Sequence, residues 1–600
     1  MSRMKKQKKN HCAHAMQQRI VSMILVCNMA AYTLTGCGLP FVQDTRTEGE
    51  KKYPEMITID VFDSYANVKG LQRGWFAKTV KDKFNMQLNV IAPNQEDNGR
   101  ATYETMRASG KLGDLIISNV DEGVLQELVR EGQVLDMTPY LDTHPNLKKY
   151  KEEIENVSLF SGTEGAFAVP SEISSLPATD PSEFKEPTNA PFIRWDLYKE
   201  VGYPEVDTLE DLIPVLSDMQ NKAKVSDSGN PVYAFSLFRD WDAGAMQNAG
   251  ALAALYGYDT EGFLMLNPDT GDIQDLLQKD SMYLRALDFL FEANQAGLVD
   301  PESKTQRYDT VASKMKDGAV LYSFWPWMGE SLYNSDDHLN EEKGFATLQI
   351  KDASYLCWGN TPGGKASCCI MIGKDAKDPD RLLDFVDWLY SPEGIECCGS
   401  PTGNYRGPEG LTWEDTEEGP KLTEFGEDVF VMMDTEREVE GIEVNPRWDI
   451  GTSALNYKPL ALHEVDDRGI PYCYQLWQDY IDKTRTSVTE DWMKHYNTNQ
   501  QSIAYLLQQG NLTVMPGVYW VSEQMPEYLK TMEEQCRQAL VDYSWSMVFA
   551  ADRRDYERLK GEMTDILIRL GYREVVEFEK QQELKRLSLL QEAAEVRYDS

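Results

Sequence analysis

Met56-Ile57-Thr58-Ile59-Asp60-Val61, Trp75-Phe76-Ala77-Lys78-Thr79-Val80-Lys81-Asp82-Lys83-Phe84 and Gln87-Leu88-Asn89-Val90-Ile91 decide the fold. Ile57, Ile59 and Val61 alternate with Thr58 and Asp60, the period of a half-buried strand. Phe76, Val80 and Phe84 recur every four residues and share one face of a helix. Gln87 to Ile91 reads as a second strand and Asp114-Leu115-Ile116-Ile117 as a third. Strand, helix and strand at this spacing form a βαβ unit, which predicts a parallel sheet in an α/β fold.

Farther along, a second α/β region runs from about Phe192 to Met328. Its clearest helix is Ser281 to Gly297, with Leu284, Leu287, Leu290 and Phe291 on one face and Gly297 as the stop. Asp380 to Tyr390 carries Leu382, Phe385, Val386 and Leu389 at helical spacing. The chain from about Thr402 reads as helical and aromatic-rich, and ends in a charged amphipathic helix, roughly Val575 to Val596. No internal repeat or low-complexity tract is present.

The other end has a different character. Lys5, Lys6, Lys8, Lys9 and Arg19 precede a short apolar run, Ile20 to Leu34, and then Leu34-Thr35-Gly36-Cys37. A basic start, a short apolar stretch and small residues before a cut describe a secretory leader. The run is shorter than the ~20 apolar residues of a spanning helix. Leu-Thr-Gly-Cys resembles the bacterial lipobox, which implies a leader over 1–36 and lipidation of Cys37 as the mature N-terminus. More than one acyl chain holds a protein firmly on a membrane. Residues 37–52, polar and without periodicity, are expected to be a flexible tether.

Composition narrows the function. The 600 residues carry 98 acids against 60 lysines and arginines, a net charge of −38. That excludes nucleic acid as a partner, since binding it needs a basic face. Of the ten cysteines, Cys357, Cys368, Cys369, Cys397, Cys398, Cys473 and Cys536 follow Cys37. An odd number cannot all pair internally. They read mostly as small buried hydrophobes, although an extracytoplasmic site permits a disulfide. Their spacing matches no zinc pattern.

Catalytic signatures are missing. Gly359 to Lys365 fits a phosphate-loop spacing, but Ala366 replaces the Ser/Thr that would hold magnesium. His463-Glu464 lacks the second histidine of a zinc protease helix, and no nucleophile elbow occurs. Acid pairs such as Asp240/Asp242 or Asp336/Asp337 arise freely among so many carboxylates. No catalytic residue, metal or cofactor is expected.

Ordered blocks then point to a family. They are Met106-Arg107-Ala108-Ser109-Gly110-Lys111-Leu112-Gly113-Asp114-Leu115; Leu135-Asp136-Met137-Thr138-Pro139-Tyr140-Leu141; Gly162-Thr163-Glu164-Gly165-Ala166-Phe167-Ala168-Val169-Pro170; Ile193-Arg194-Trp195-Asp196-Leu197-Tyr198; Lys316-Asp317-Gly318-Ala319-Val320-Leu321-Tyr322-Ser323-Phe324-Trp325-Pro326-Trp327; and Asp387-Trp388-Leu389-Tyr390-Ser391-Pro392-Glu393-Gly394. In this order, behind a lipobox, they resemble the extracellular solute-binding proteins of carbohydrate-type ABC importers, the family of the maltose- and alginate-oligosaccharide-binding proteins, and most of all its large Gram-positive lipoprotein branch.

The resemblance covers most of residues 53–578. It implies a two-lobed, periplasmic-binding-protein-like α/β fold of type II with a hinge and a central cleft. Lobe 1 would be 53–170 plus 360–400, lobe 2 would be 171–359 plus 401–578, and 579–600 a C-terminal helical extension. It implies a monomer on the outer face of the cell membrane that captures a carbohydrate and passes it to ABC permease subunits. A secreted carbohydrate-active enzyme, or a surface sugar receptor without a permease, are the alternatives. Alginate-binding relatives carry a calcium loop in the second lobe. The matching Ser226-Asp227-Ser228-Gly229-Asn230-Pro231 has one acid where such loops have several oxygen ligands, so no calcium is expected.

A sugar presents an apolar face and many hydroxyls, so its site needs flat aromatic rings beside carboxylates and amides. Trp325 and Trp327 flank Pro326 at the end of an apolar stretch. Asp63, Ser64 and Tyr65 follow the first strand, where loops line ligand crevices. Asp240-Trp241-Asp242 and Arg447-Trp448-Asp449 each join a ring to carboxylates, and Trp358 with Asn360 lies at the expected return crossing. Trp388 and Trp492 read as helix-face core residues.

Overall fold

A computed structural model describes residues 46–66, 68–93, 99–121, 123–242 and 244–595. Cys37, the leader and most of the expected tether lie outside the described residues.

The βαβ unit forms where the periodicity places it. Strands Ile57–Asp63 and Met86–Ile91 pair in parallel around helix Trp75–Phe84, and Leu115–Ser118 adds in parallel on the other side of the first strand. Trp75, Phe76, Val80 and Phe84 are the buried face of the helix. It stops at Asn85, which takes a left-handed φ of 44°, a conformation Asn tolerates better than most residues. The completed sheet has six strands in the order 70–71, 86–91, 57–63, 115–118, 365–372 and 169–171. Lys365–Ile372 runs antiparallel to both of its neighbours.

The second body is built on Phe192–Arg194, flanked by antiparallel Tyr322–Ser323 and Phe345–Thr347. Its main helix, Met282–Gln295, is capped by Ser281, whose hydroxyl accepts the Leu284 N–H. Helix Pro379–Leu389 likewise lies where the spacing puts it, on the first body.

The chain passes between two hydrophobic cores several times. Val169 and Ile173 pack in the first and Ala190 and Phe192 in the second; Tyr355 and Cys357 lie in the second and Ile370 in the first; Trp477 lies in the first and Val488 in the second. At these crossings Ile173 bridges Leu460, Ser174 bridges Pro362 and Pro181 bridges Gly359. Glu172, on the first crossing, pairs with Lys365 at 2.9 Å, on the second crossing, and with Lys458 at 3.9 Å, on the first body.

Three expectations change. Residues 48–52 are a short helix with a Thr47/Glu50 capping box, packed on the first body by Lys52 and Tyr53 against Asp384, rather than flexible tether. Residues 405–477 pack into the first core rather than the second lobe. Among their described elements is a hairpin, Trp413–Thr416 with Gly419–Leu422, where helix was expected. Their anchor is a fully buried arginine. The Arg406 guanidinium pairs with Glu396 at 2.8 Å and Asp466 at 2.7 Å and lies 4.1 Å from the Trp413 ring centre. Aromatic side chains here buried loops, not a helix face. Finally, 579–595 is the continuation of one helix, Tyr572–Glu595, that seats on the hairpin 264–275.

All seven described cysteines are free, six of them buried and Cys368 half-buried. No helix of the described residues is long and apolar enough to cross a membrane.

Candidate ligand-binding site

The second body carries a wall of aromatic rings. Trp325 is buried behind it and donates its Nε1–H to Asn189 Oδ1 at 3.1 Å. Trp327 stacks on Trp325 with ring centres 5.3 Å apart and planes 16° apart, and is itself 37% exposed. Trp241, 40% exposed, stands 5.5 Å from Trp327 at 44°. Tyr308 stacks on Trp241 at 4.7 Å, and Phe238 meets Trp241 edge-on at 4.9 Å. Three half-open rings, Trp241, Tyr308 and Trp327, thus form a bent surface over a packed aromatic base. Offset and edge-on pairs at such distances add about 0.5–1.5 kcal/mol each beyond the area they bury, so the rings are held in place without a ligand.

Local chemistry explains the placement. Trp325-Pro326-Trp327 follows strand Tyr322–Ser323, and the Ser323 hydroxyl accepts the Trp325 N–H at 3.2 Å. Asp240 accepts the Tyr308 N–H at 3.1 Å, at the start of helix Tyr308–Lys316, with Arg307 3.4 Å away. It therefore fixes Tyr308 beside Trp241. Asp242 accepts the Gln247 N–H at 2.9 Å and the Trp545 Nε1–H at 2.6 Å. Burial raises the pKa of its carboxyl, against the pull of those two donors.

Trp358 stands at the second crossing, 39% exposed. Its N–H donates to Glu183 at 3.0 Å and its carbonyl accepts from Ser182. Asn360 is buried beside it, with its amide nitrogen 3.1 Å from the Asp180 carbonyl and its Oδ1 without a partner. His463 has a second buried unpartnered atom, Nδ1, and burial lowers its pKa.

On the first body, Asp63 ends the first strand fully buried. Its Oδ1 accepts the Tyr65 and Ala66 N–H groups at 2.8 and 3.0 Å, while Oδ2 has no partner. Burial pushes its pKa up to about 8. Ser64 Oγ lies 3.2 Å from Ser118 Oγ, and the half-buried Tyr65 donates its hydroxyl to the Ser367 carbonyl.

Not every expected residue is free for a ligand. Trp448 is core: it is 4% exposed, with Trp75 stacked on it at 5.0 Å and Phe425 and Phe430 against its edges. Asp449 is held bidentate by Arg447, at 3.1 and 2.6 Å. Asp242 turns inward to its two donors. In the loop matching the calcium site, Asp317 accepts from Ser226 Oγ at 2.5 Å, Ser228 N at 2.9 Å and Asn230 Nδ2 at 3.0 Å. Asp227 pairs with His338 at 2.9 Å. Protein groups contact both of those carboxylates. Gly359–Lys365 leads into a strand, not a helix N-terminus, so no phosphate cradle forms there.

Tyr308, Phe238, Asn189 and Glu183 were not legible as site residues. Tyr308 lies 67 positions from Trp241, and they meet only in the fold, through their stacked rings and the Asp240 contact.

Known proteins can now be set beside this geometry. No family model matches the sequence, and no curated protein matches it. Solved structures do. An alginate-binding protein, AlgQ2 without calcium ion, is 13% identical, with 92% of this chain and 99% of that chain covered at a TM-score of 0.51. The S. pneumoniae ABC-transporter substrate-binding protein FusA in complex with kestose is 13% identical, covering 89% and 99%, at 0.55. An HMO-binding, ABC-transporter-associated solute-binding protein from Bifidobacterium longum infantis is 13% identical, covering 89% and 99%, at 0.51. This chain has the two-lobed α/β fold of a solute-binding protein. Those neighbours match almost end to end, so the fold spans nearly the whole chain.

Proposed function

We propose that this protein is an extracytoplasmic solute-binding protein that captures a carbohydrate, most simply an oligosaccharide, between its lobes and delivers it to an ABC permease. The observation that carries the reading is the preformed, half-open wall of Trp241, Tyr308 and Trp327 on this fold. Flat rings are what the apolar face of a sugar needs, and they cost no ordering when the ligand arrives. The sugar-binding proteins of the same fold support it.

In this reading Trp327 and Trp241 stack on sugar rings. Trp358 at the crossing and Ser64 and Tyr65 on the first lobe contribute as the lobes close, while the buried Asn360 and Asp63 brace the backbone behind them. Hinge closure of this kind buries the ligand and excludes water. Cys37 carries the lipid that keeps the protein on the outer face of the membrane, and the protein works as a monomer that performs no chemistry on its cargo.

The test is a thermal-shift screen against mono- and oligosaccharides, with each hit recovered and chromatographed. Binding to the folded state alone raises the melting temperature as RT ln(1 + [L]/Kd). One sugar class should raise it and come back intact. Recovery of shortened products would replace capture with hydrolysis, and no shift with any sugar would move the ligand out of the carbohydrate class. Metabolic labelling with palmitate, lost in Cys37→Ala, tests the anchor.

A further inference from the structure

Trp241 is the most exposed ring of the wall, yet the residues around it are tied to a helix three hundred positions away. Helix Glu527–Val548 presents Asp542, Ser544 and Trp545 toward it. Arg239 pairs with Asp542 at 2.9 Å. Asp242 receives the indole N–H of Trp545 at 2.6 Å. Met246 donates its N–H to the Tyr283 hydroxyl at 3.0 Å, and that hydroxyl lies 2.8 Å from Ser544 Oγ. The Arg239 pair is exposed and contributes little. The two Tyr283 contacts are buried and the Trp545–Asp242 bond is half-buried, so solvent screens them less than the exposed pair.

Each Asp242 oxygen accepts one protein donor, the Gln247 N–H at Oδ1 and the Trp545 Nε1–H at Oδ2. Trp545 itself is 3% exposed and cannot touch a ligand. Its helix is braced in turn by helices Met282–Gln295 and Arg553–Arg569. Together they form a rigid backing for a side chain whose angle to Trp327 shapes the wall.

Building on the sugar-site reading, we propose that Asp242 and Trp545 are positioning residues: the Trp545 Nε1–H, received by Asp242, fixes the orientation of Trp241, so that the C-terminal helices set the affinity of a site they never touch.

The experiment uses the full chain with Trp545→Phe and, as a gentler change, Asp242→Asn. Each is labelled with 5-fluorotryptophan and titrated with kestose and with alginate oligosaccharide. Trp241→Phe and Trp327→Phe assign the two fluorine resonances. The expected result is a Trp241 resonance that shifts or broadens in both variants without ligand, an unmoved Trp327 resonance, and about tenfold weaker binding of whichever probe the parent protein binds. A Trp241 resonance identical to the parent in both variants overturns the proposal. So does unchanged affinity. If Trp545→Phe does not fold, Asp242→Asn alone supplies both readouts. If the parent binds neither probe, the fluorine spectra still decide the positioning, and the failure falls on the sugar reading alone.

Discussion

Two tryptophan pairs in this molecule are stacked almost alike and serve opposite ends. Trp75 and Trp448 lie 5.0 Å apart with planes at 8°, buried in the first body. Trp325 and Trp327 lie 5.3 Å apart at 16° in the second, with the outer face of Trp327 open. The sequence around them is no guide. Arg447-Trp448-Asp449 and Asp240-Trp241-Asp242 each set a tryptophan between charged residues. What separates them is the other side of the ring: Phe425 and Phe430 close over Trp448, whereas Trp241 and Trp327 are backed by rings and fronted by solvent. An aromatic pair is structural when both faces find protein, and available for a ligand when one does not.

The sharpest way to break that comparison is to remove the supports of the closed region. Arg406→Ala leaves Glu396 and Asp466 as buried carboxylates with their main partner gone. Breaking a buried pair in this way costs about 3–5 kcal/mol. Chemical denaturation should show a loss of that size, and a loss under 1 kcal/mol would remove the buried cluster as the anchor of residues 405–477. Trp448→Ala should cost about as much, 3–5 kcal/mol, through the cavity it leaves, with sugar affinity of the folded fraction unchanged.

Trp327→Ala should do the reverse. Its stability cost should stay near 1 kcal/mol, because only one face is packed, while affinity falls about tenfold or more, roughly 1.4 kcal/mol of binding. Calorimetric titration beside a melt separates the two. Equal effects of Trp448→Ala and Trp327→Ala on both quantities would erase the distinction drawn here.

The smallest effect is in pH. Burial raises the Glu579 carboxyl to about 8, and the neighbouring Glu533, Glu261 and Glu583 push the same way. Its folded pKa lies above the unfolded value, so the folded state holds the proton longer. Stability is fully present at low pH and is lost as pH rises from about 4.5 through 8. Glu579→Gln should flatten that slope and raise the melting temperature at pH 8 but not at pH 4. A steeper slope in the variant would contradict the sign.

How much could be read in advance follows from the same physics. Strands 57–63 and 86–91 and helices 75–84, 282–295 and 379–389 announce themselves by period, because apolar residues recur within each element's own short segment. The hairpin 413–422 does not, because its cohesion comes from Arg406 stacked beneath Trp413 and paired to residues 10 and 60 positions away. The site splits along the same line. Trp327 and Trp241 were legible as rings beside a strand end and carboxylates. Their geometry depends on Tyr308, which long-range contacts alone bring to Trp241 and Trp327. Trp448 was misread for that reason too: nothing in its own segment reveals Trp75, 373 positions away.

The most direct test of the account is calorimetric titration of the protein and its Trp327→Ala variant with the oligosaccharide class found by screening. The account predicts one-to-one binding to the parent, the sugar recovered intact, and about tenfold or greater weakening in a variant whose own melting temperature is nearly unchanged. Binding to Trp327→Ala as tight as to the parent would show that the aromatic wall is not the site.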